Sequence, residues 1–114
     1  MSNKILIVDD DPFNLDLLEQ ELTDKGYVIE RANSGEEALK KVESFQPELI
    51  LLDYMMPGMN GVEALKEIRK RGNDIPVAMI TAYGTIERAV QAIKEGAFDF
   101  IPKPFDPDHL ALIV

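Results

Sequence analysis

Several residue types and patterns are missing from this 114-residue sequence, and each absence excludes a class of protein. There is no cysteine, which excludes a disulfide framework, thiol catalysis and cysteine-ligated zinc or iron–sulfur sites. No apolar stretch approaches the ~20 residues that a membrane-spanning helix needs. The apolar run at residues 5–8 is also too short for the core of a signal peptide. We therefore expect a soluble, cytoplasmic protein with no membrane contact.

Positive charge is also scarce. The chain has 12 Lys and Arg residues against 21 Asp and Glu residues, a formal net charge of -9. Because nucleic-acid binding normally needs a basic surface, we expect no direct nucleic-acid contact. A basic cluster at residues 66–71 lies near the end of a predicted helix and is interpreted as a solvated face. The one histidine, His109, is interpreted as a surface residue.

The sequence does contain short apolar runs that alternate five times with longer amphipathic segments. The runs at 5–8, 49–52 and 77–80 are continuous, and those at 27–32 and 98–101 are weaker. Continuous runs predict central parallel strands, whereas the polar residues within 27–32 predict an edge strand. We predict one α/β domain over residues 1–114, with a flavodoxin-like, doubly wound five-stranded parallel sheet in the order 2-1-3-4-5 and helices on both faces.

The amphipathic segments predict helices. Apolar residues recur at helical spacing in four groups: Leu15, Leu18 and Leu22; Ala38, Val42 and Phe45; Val62, Leu65 and Ile68; and Ile86, Ala89, Val90 and Ile93. Ser34 and Glu37 predict a capping box before the second helix, and Gly96 predicts the end of the fourth. The last segment, 107–114, is shorter than the mean helix of about 11 residues, so the fifth helix is either truncated or continued in a longer chain.

Carboxylates gather at the carboxyl ends of the two strands that this order places side by side. Asp9, Asp10 and Asp11 follow the first strand, and Asp53 ends the third. Like charges ~4 Å apart repel by ~4 kcal/mol at an effective dielectric constant of ~20, so the cluster predicts a bound cation or shifted protonation. Oxygen ligands favour Mg²⁺, with Mn²⁺ or Ca²⁺ as substitutes. Asp11 precedes Pro12 and is predicted mainly to cap the first helix.

Two further strand ends contribute polar groups to the same edge of the sheet. Thr81 ends the fourth strand, and Lys103 lies between two prolines after the fifth. Either residue alone is common, since threonine favours strands and a Pro-Lys-Pro segment is usually a surface turn. Together a carboxylate, a metal, a hydroxyl and an ammonium group predict an aspartyl-phosphate site.

Four blocks of the sequence contain the residues singled out so far: 5–11 (ILIVDDD), 51–61 (LLDYMMPGMNG), 80–82 (ITA) and 103–105 (KPF). In this order and at this spacing they resemble the CheY-like receiver domains of bacterial two-component response regulators. The resemblance spans nearly the whole chain. A match of four blocks in the correct order is highly specific for this family. The stretch 81–90 is most similar to receivers of ATP-driven transcriptional activators of the nitrogen-regulator type.

The resemblance implies a role for each matching residue. Asp53 would be the phosphoacceptor, and Thr81 and Lys103 would contact the phosphoryl group. The metal would be held by Asp9, Asp10, Asp53 and the backbone carbonyl of Met55. A sensor histidine kinase would donate the phosphoryl group in a Mg²⁺-dependent in-line transfer, and water would later remove it. The domain would catalyse its own phosphorylation and dephosphorylation without being a multiple-turnover enzyme.

The resemblance also implies an output surface and a way to set the lifetime of the phosphoryl group. Thr81 and Phe100, the aromatic switch position, would move toward the phosphoryl group and alter the face made by the fourth helix, the fifth strand and the fifth helix. This face would bind a partner or form a homodimer. By sequence alone, Phe100 is nearly as well interpreted as an ordinary aromatic residue of the fifth strand. Met55 and Tyr83 would flank the path of the attacking water, and because both are bulky and neither is acidic, we predict a long-lived phosphoryl group.

Three other functions stay open at this point. Asp9 and Asp11 resemble the paired aspartates of haloacid-dehalogenase-type phosphatases, in which Asp9 would be the nucleophile, although the chain looks too short for that fold. A flavodoxin-like carrier of FMN would need Gly, Ser or Thr after the first strand, where three aspartates would repel the phosphate. A receiver-like module could also bind a partner without being phosphorylated.

Overall fold

The computed structural model describes residues 4–54, 58, 60–72, 74–81, 90–91, 93–97 and 99–102, with the backbone alone at 81 and 99–102. Its elements are β1 (Lys4–Val8), α1 (Pro12–Thr23), β2 (Val28–Ala32), α2 (Gly35–Phe45), β3 (Leu49–Asp53), α3 (Gly61–Lys70), β4 (Val77–Thr81) and β5 (Asp99–Pro102). Residues 90, 91, 93 and 94 are helical and, with residues 95 and 96, form the 90–96 segment. None of the described helices is long and apolar enough to cross a membrane.

The five strands form one parallel sheet in the order β2-β1-β3-β4-β5. β1 pairs with both β2 and β3, so that Val8 lies between Ala32 and Leu52. The chain passes from β1 to β2 on one side and then crosses from β2 to β3 on the other side of β1. This change of direction creates a crevice outside the carboxyl ends of β1 and β3. The predicted fold class, the strand order and the edge position of β2 are confirmed.

Two apolar cores cover the sheet, one on each face. Alternate strand residues point to opposite faces, so Leu6 packs under α2 and α3 while Ile7 packs under α1. The predicted inward residues are buried at Leu15, Leu18, Leu22, Ala38, Val42, Val62, Leu65 and Ile68. Phe45, also predicted to face inward, is partly buried against the core. All five residues of β3 are buried, which places Asp53 at the end of a fully enclosed strand.

Side chains cap the first turns of the three helices whose first turns are described. Asp11 is the N-cap of α1, as predicted, and its Oδ1 accepts from the N–H of Phe13 at 2.9 Å. Ser34 Oγ caps α2 by accepting from the N–H of Glu37 at 3.2 Å. The reciprocal capping box is found at α3, where Asn60 and Glu63 each accept from the other's backbone N–H, at 2.9 and 3.2 Å. That box was not predicted from the sequence.

The 90–96 segment differs from the amphipathic prediction. Val90 and Ile93, expected to face the core, are 46% and 47% exposed, whereas Ala97 is buried just after the segment. Ile86 and Ala89 of the same stripe lie outside the described residues. The predicted end at Gly96 is confirmed, since Gly96 has a φ of 109° and its N–H donates to the carbonyl of Ile93 at 3.1 Å.

Candidate functional site

The structure brings the predicted carboxylates together at the crevice between β1 and β3. Asp9, Asp10 and Asp53 each offer an oxygen within 4.8 Å of the others. Asp9 and Asp53 are 0% and 2% exposed, whereas Asp10 is open to solvent. One exposed carboxylate beside two buried ones gives the crevice an entrance and an enclosed floor.

Asp9 and Asp11 have separate roles in the turn after β1. The N–H of Asp9 donates to the carbonyl of Ala32 at 3.1 Å, which extends the β1–β2 pairing by one residue. Asp9 Oδ1 accepts from the N–H of Asp11 at 3.0 Å. Because the side chain of Asp11 caps α1, this aspartate is held away from the site, as its position before Pro12 predicts.

The main chain around Asp53 is held by its neighbours on both sides. Asp53 pairs with Ile80 of β4, and the N–H of the next residue, Tyr54, donates to the Ile80 carbonyl at 2.8 Å. Gly61 packs directly against this segment: a Cβ there would contact the carbonyl oxygen of Asp53 and would lie 2.7 Å from Met79 Cε. Sequence analysis did not identify this role of Gly61, because only the fold shows how closely the start of α3 approaches β3.

The three carboxylates fit a hard divalent cation. In an octahedral Mg²⁺ site with ligands at about 2.1 Å, adjacent oxygens lie about 3.0 Å apart and opposite oxygens about 4.2 Å apart. The three carboxylates therefore have to move closer together to share one ion, starting from oxygens that lie within 4.8 Å of one another. At that separation two carboxylates repel by roughly 3–4 kcal/mol at an effective dielectric constant of ~20. Oxygen donors, partial enclosure and mutual repulsion all favour an ion with two positive charges.

The other predicted site residues are described only in part. Thr81 ends β4 one residue after the partner of Asp53, and Phe100 pairs with Met79 in β5, but the structure gives their backbone alone. Met55, Tyr83 and Lys103 lie outside the described residues. The carboxylate part of the predicted site is therefore assembled by the fold, and the roles of these five residues stay predictions.

A network of opposite charges lies on the surface formed by β2 and α2. Lys41 Nζ contacts Glu30 at 3.1 Å and Glu37 at 3.4 Å, and it also donates to the carbonyl of Arg31. The hydrogen bond from Lys41, aided by one from the Arg31 N–H, holds the pKa of Glu30 below its usual 4.5. Burial acts to lower the pKa of Lys41, but its contacts with Glu30 and Glu37 outweigh burial and raise that pKa above 10.5.

The predicted basic cluster at residues 66–71 is largely engaged within the protein. Lys66 lies 3.8 Å from Glu95, and Arg69 donates to the carbonyl of Gly96 at 2.9 Å. Arg71 pairs with Glu43 and with Glu67, each at 3.3 Å. These contacts agree with the interpretation of the cluster as a structural, solvated face.

Comparisons with known proteins identify the family. The response regulator receiver domain family matches residues 5–114. Regulatory protein AtoC of Escherichia coli is 43% identical over 112 residues, covering 98% of this chain and 24% of that protein. The nitrogen assimilation regulatory protein NtrX of Azorhizobium caulinodans is 43% identical over 115 residues, with coverages of 99% and 25%. The crystal structure of the receiver domain of NtrX from Brucella abortus is 40% identical, with a TM-score of 0.90 and coverages of 96% and 92%.

These similarities agree with the resemblance carried by the four sequence blocks. The similarity to NtrX, a nitrogen assimilation regulatory protein, agrees with the predicted resemblance to receivers of the nitrogen-regulator type. The family match decides against the phosphatase and FMN-carrier alternatives. The chain spans about a quarter of the length of AtoC and of NtrX. It belongs to the receiver-domain family of two-component response regulators.

Proposed function

We propose that Asp53 accepts a phosphoryl group from a phosphohistidine of a sensor histidine kinase. The observation that carries the proposal is the convergence of Asp53 with Asp9 and Asp10 in one crevice at the carboxyl ends of adjacent strands. Receiver domains interact with sensor histidine kinases, so the donor class follows from the family. The exposure of Asp10 leaves the crevice open on the side from which a donor can approach.

The transfer is an in-line displacement at phosphorus. A carboxylate oxygen of Asp53 forms the new P–O bond, the P–N bond to the donor imidazole breaks, and the imidazole leaves as a neutral group after taking up a proton. The signal ends by hydrolysis: water attacks phosphorus, the P–O bond to Asp53 breaks, and inorganic phosphate leaves. The domain thus promotes its own modification and its removal, but it does not turn over a free metabolite.

The proposed metal ligands are Asp9, Asp10, Asp53 and the backbone carbonyl of Met55. Mg²⁺ bound there would supply positive charge to the phosphoryl oxygens and offset the repulsion between them and the carboxylates. Asp9, buried and held by the N–H of Asp11, is preorganised for ligation, whereas Asp10 can adjust. Thr81 and Lys103 are proposed to bind the remaining phosphoryl oxygens, which matches the position of Thr81 at the end of the strand next to β3.

Phosphorylation is proposed to change the face that includes the 90–96 segment and β5, with Thr81 and Phe100 as the switch residues. The exposure of Val90 and Ile93 supports this choice, because it leaves apolar surface available for a partner or a second copy of the chain. An output activity such as transcription regulation would belong to parts of a longer protein, as in relatives four times the length of this chain.

The lifetime of the phosphoryl group is proposed to depend on Met55 and Tyr83. Bulky, non-acidic side chains beside the path of the attacking water would shield the phosphorus atom and offer no base. Replacing Met55 with Asn should therefore accelerate loss of the phosphoryl group, measured as decay of the adduct by intact-mass spectrometry. An unchanged decay rate would contradict the shielding role.

Intact-mass spectrometry after incubation with acetyl phosphate tests the proposed function. We expect one phosphoryl adduct that requires Mg²⁺, is absent from Asp53→Asn and persists in Asp74→Asn, a matched change at an exposed aspartate. An adduct that survives in Asp53→Asn would place the nucleophile elsewhere. No adduct with any phosphodonor would favour a module that binds its partner without being phosphorylated.

A further inference from the structure

Tyr54 follows Asp53 directly, and its main chain is held on both sides. Its N–H donates to the carbonyl of Ile80 at 2.8 Å, and its carbonyl accepts from the N–H of Gly61 at 2.9 Å. These bonds attach Tyr54 to the end of β4 and to the start of α3. A shift of the main chain at Tyr54 would therefore affect both elements.

The side chain of Tyr54 connects the same point to the 90–96 segment. Its ring is partly buried against the core under α2 and α3, and its hydroxyl donates to Gln91 Oε1 at 3.1 Å. Gln91 is exposed. The ring is thus anchored in the interior, while its polar end reaches a helix at the surface.

The far end of the 90–96 segment is attached to α3. Arg69 Nη2 donates to the carbonyl of Gly96 at 2.9 Å, and Lys66 lies 3.8 Å from Glu95. Cations at the end of a helix also interact favourably with its dipole. α3 begins at Gly61, whose N–H donates to the carbonyl of Tyr54. The 90–96 segment is therefore connected to Tyr54 both directly, through Gln91, and indirectly, through α3.

We propose that Tyr54 is a positioning residue that couples the chemical state of Asp53 to the 90–96 segment through its hydrogen bond to Gln91. The inference rests on the proposed function, in which Asp53 changes its charge and bonding. A bond between neutral groups at the surface exchanges readily with water, so it biases the position of the segment without locking it. Coupling is reciprocal. If the chemical state of Asp53 changes the strength of this hydrogen bond, the hydrogen bond changes the free energy of that state by the same amount.

A double-mutant cycle on Asp53→Asn and Tyr54→Phe tests the coupling without any phosphodonor. The first change removes the carboxylate charge, and the second removes the hydroxyl but keeps the ring. The readout is hydrogen exchange at the N–H groups of Glu95 and Gly96, which donate to Gln91 and Ile93 within the segment. We expect Asp53→Asn to change these exchange rates about threefold to tenfold in the parent chain and less than about twofold when Tyr54→Phe is present.

Two further variants complete the cycle. Gln91→Ala removes the acceptor and should reproduce the effect of Tyr54→Phe. Tyr27→Phe is the matched control, because within the described residues the hydroxyl of Tyr27 has no hydrogen-bond partner. It should leave the response to Asp53→Asn intact.

An equal response to Asp53→Asn with and without Tyr54→Phe would overturn the coupling, even if acetyl phosphate forms its adduct on Asp53. Absence of that adduct would instead overturn the proposed function. The exchange cycle would then still report whether Tyr54 links the two regions, so the two failures are distinguishable.

Discussion

Two groups of charged residues in this domain are built in opposite ways. At the crevice, Asp9, Asp10 and Asp53 lie within 4.8 Å of one another, and two of them are buried. On the surface of β2 and α2, Glu30 and Glu37 lie on either side of Lys41, at 3.1 and 3.4 Å. The first group brings like charges together in the interior, and the second pairs opposite charges in contact with water.

The two groups should therefore affect stability differently. Exposed ion pairs contribute roughly 0–1 kcal/mol each, so the β2–α2 network adjusts stability only slightly. Clustered buried carboxylates lower the free energy of unfolding unless a cation offsets their repulsion. We therefore expect the domain to gain stability when a cation binds at the crevice.

The largest expected effect on the free energy of unfolding comes from disrupting the backbone packing beside Asp53. Gly61→Ala should lower the free energy of unfolding by about 3 kcal/mol, because the new Cβ would contact the Asp53 carbonyl and approach Tyr54 Cα at 2.9 Å. Urea unfolding measures the change. Gly72→Ala is the control: its φ is 78° but nothing lies within 4 Å, so we expect only about 1 kcal/mol from backbone strain. Equal losses at both glycines would show that close packing at Gly61 is unimportant.

Removing one like charge from the crevice should have the next largest effect. Asp53→Asn should raise the free energy of unfolding by about 1–3 kcal/mol without divalent cations, since it relieves the repulsion among the three carboxylates. The same change should abolish the rise in melting temperature that Mg²⁺ produces in the parent chain. Thermal unfolding with and without Mg²⁺ measures both. Asp74→Asn should stay within about 0.5 kcal/mol of the parent; a destabilised Asp53→Asn would contradict the like-charge description.

The ion pairs of Glu30, Lys41 and Glu37 should make only a small, pH-dependent contribution to the free energy of unfolding. Because the folded-state pKa of Glu30 lies below 4.5, its contribution is present above that pH and is lost as the pH falls through the lowered pKa. The pKa of Lys41 is raised above 10.5, so its contribution is present below that pH and is lost as the pH rises through the raised value. Glu30→Gln should lower the free energy of unfolding at neutral pH by at most about 0.5 kcal/mol, since the side chain is 44% exposed.

Urea unfolding between acidic and neutral pH, at low and high salt, measures this small contribution. The difference between Glu30→Gln and the parent should shrink at acidic pH and at high salt. A difference that persists in acid would mean that Glu30 acts through packing and not through its charge.

An equally small effect is expected outside both charged groups. Gln46, at the end of α2, has a φ of 52°, a conformation that suits glycine. Gln46→Gly should raise the free energy of unfolding by about 0.5 kcal/mol, because relief of the left-handed conformation slightly exceeds the entropy that glycine gains in the unfolded chain. Urea unfolding would show it, and a clear loss of stability would mean that the Gln46 side chain makes a stabilising contact.

The sequence predicts the sheet and its acidic edge because both depend on local patterns. Continuous apolar runs indicate buried strands, and residues that follow parallel strands must meet at one edge, which is how Asp9 and Asp53 could be paired in advance. The exposure of Val90 and Ile93 was not predictable, since helical spacing does not reveal which face the rest of the fold covers. The closeness of Gly61 to Asp53 and the contact of Tyr54 with Gln91 depend on tertiary packing alone.

The complete burial of β3 means that binding or modification at Asp53 can be detected from the stability of the whole domain. Amide hydrogens in such a strand exchange only when much of the protein opens, so any ligand or covalent group that settles at Asp53 changes how often the whole domain opens. A melting curve can then rank candidate ions and phosphodonors before any dedicated assay exists. A core variant that leaves an appreciable fraction of the protein unfolded would lower occupancy at Asp53 by that fraction, so a mutation far from the crevice could weaken signalling.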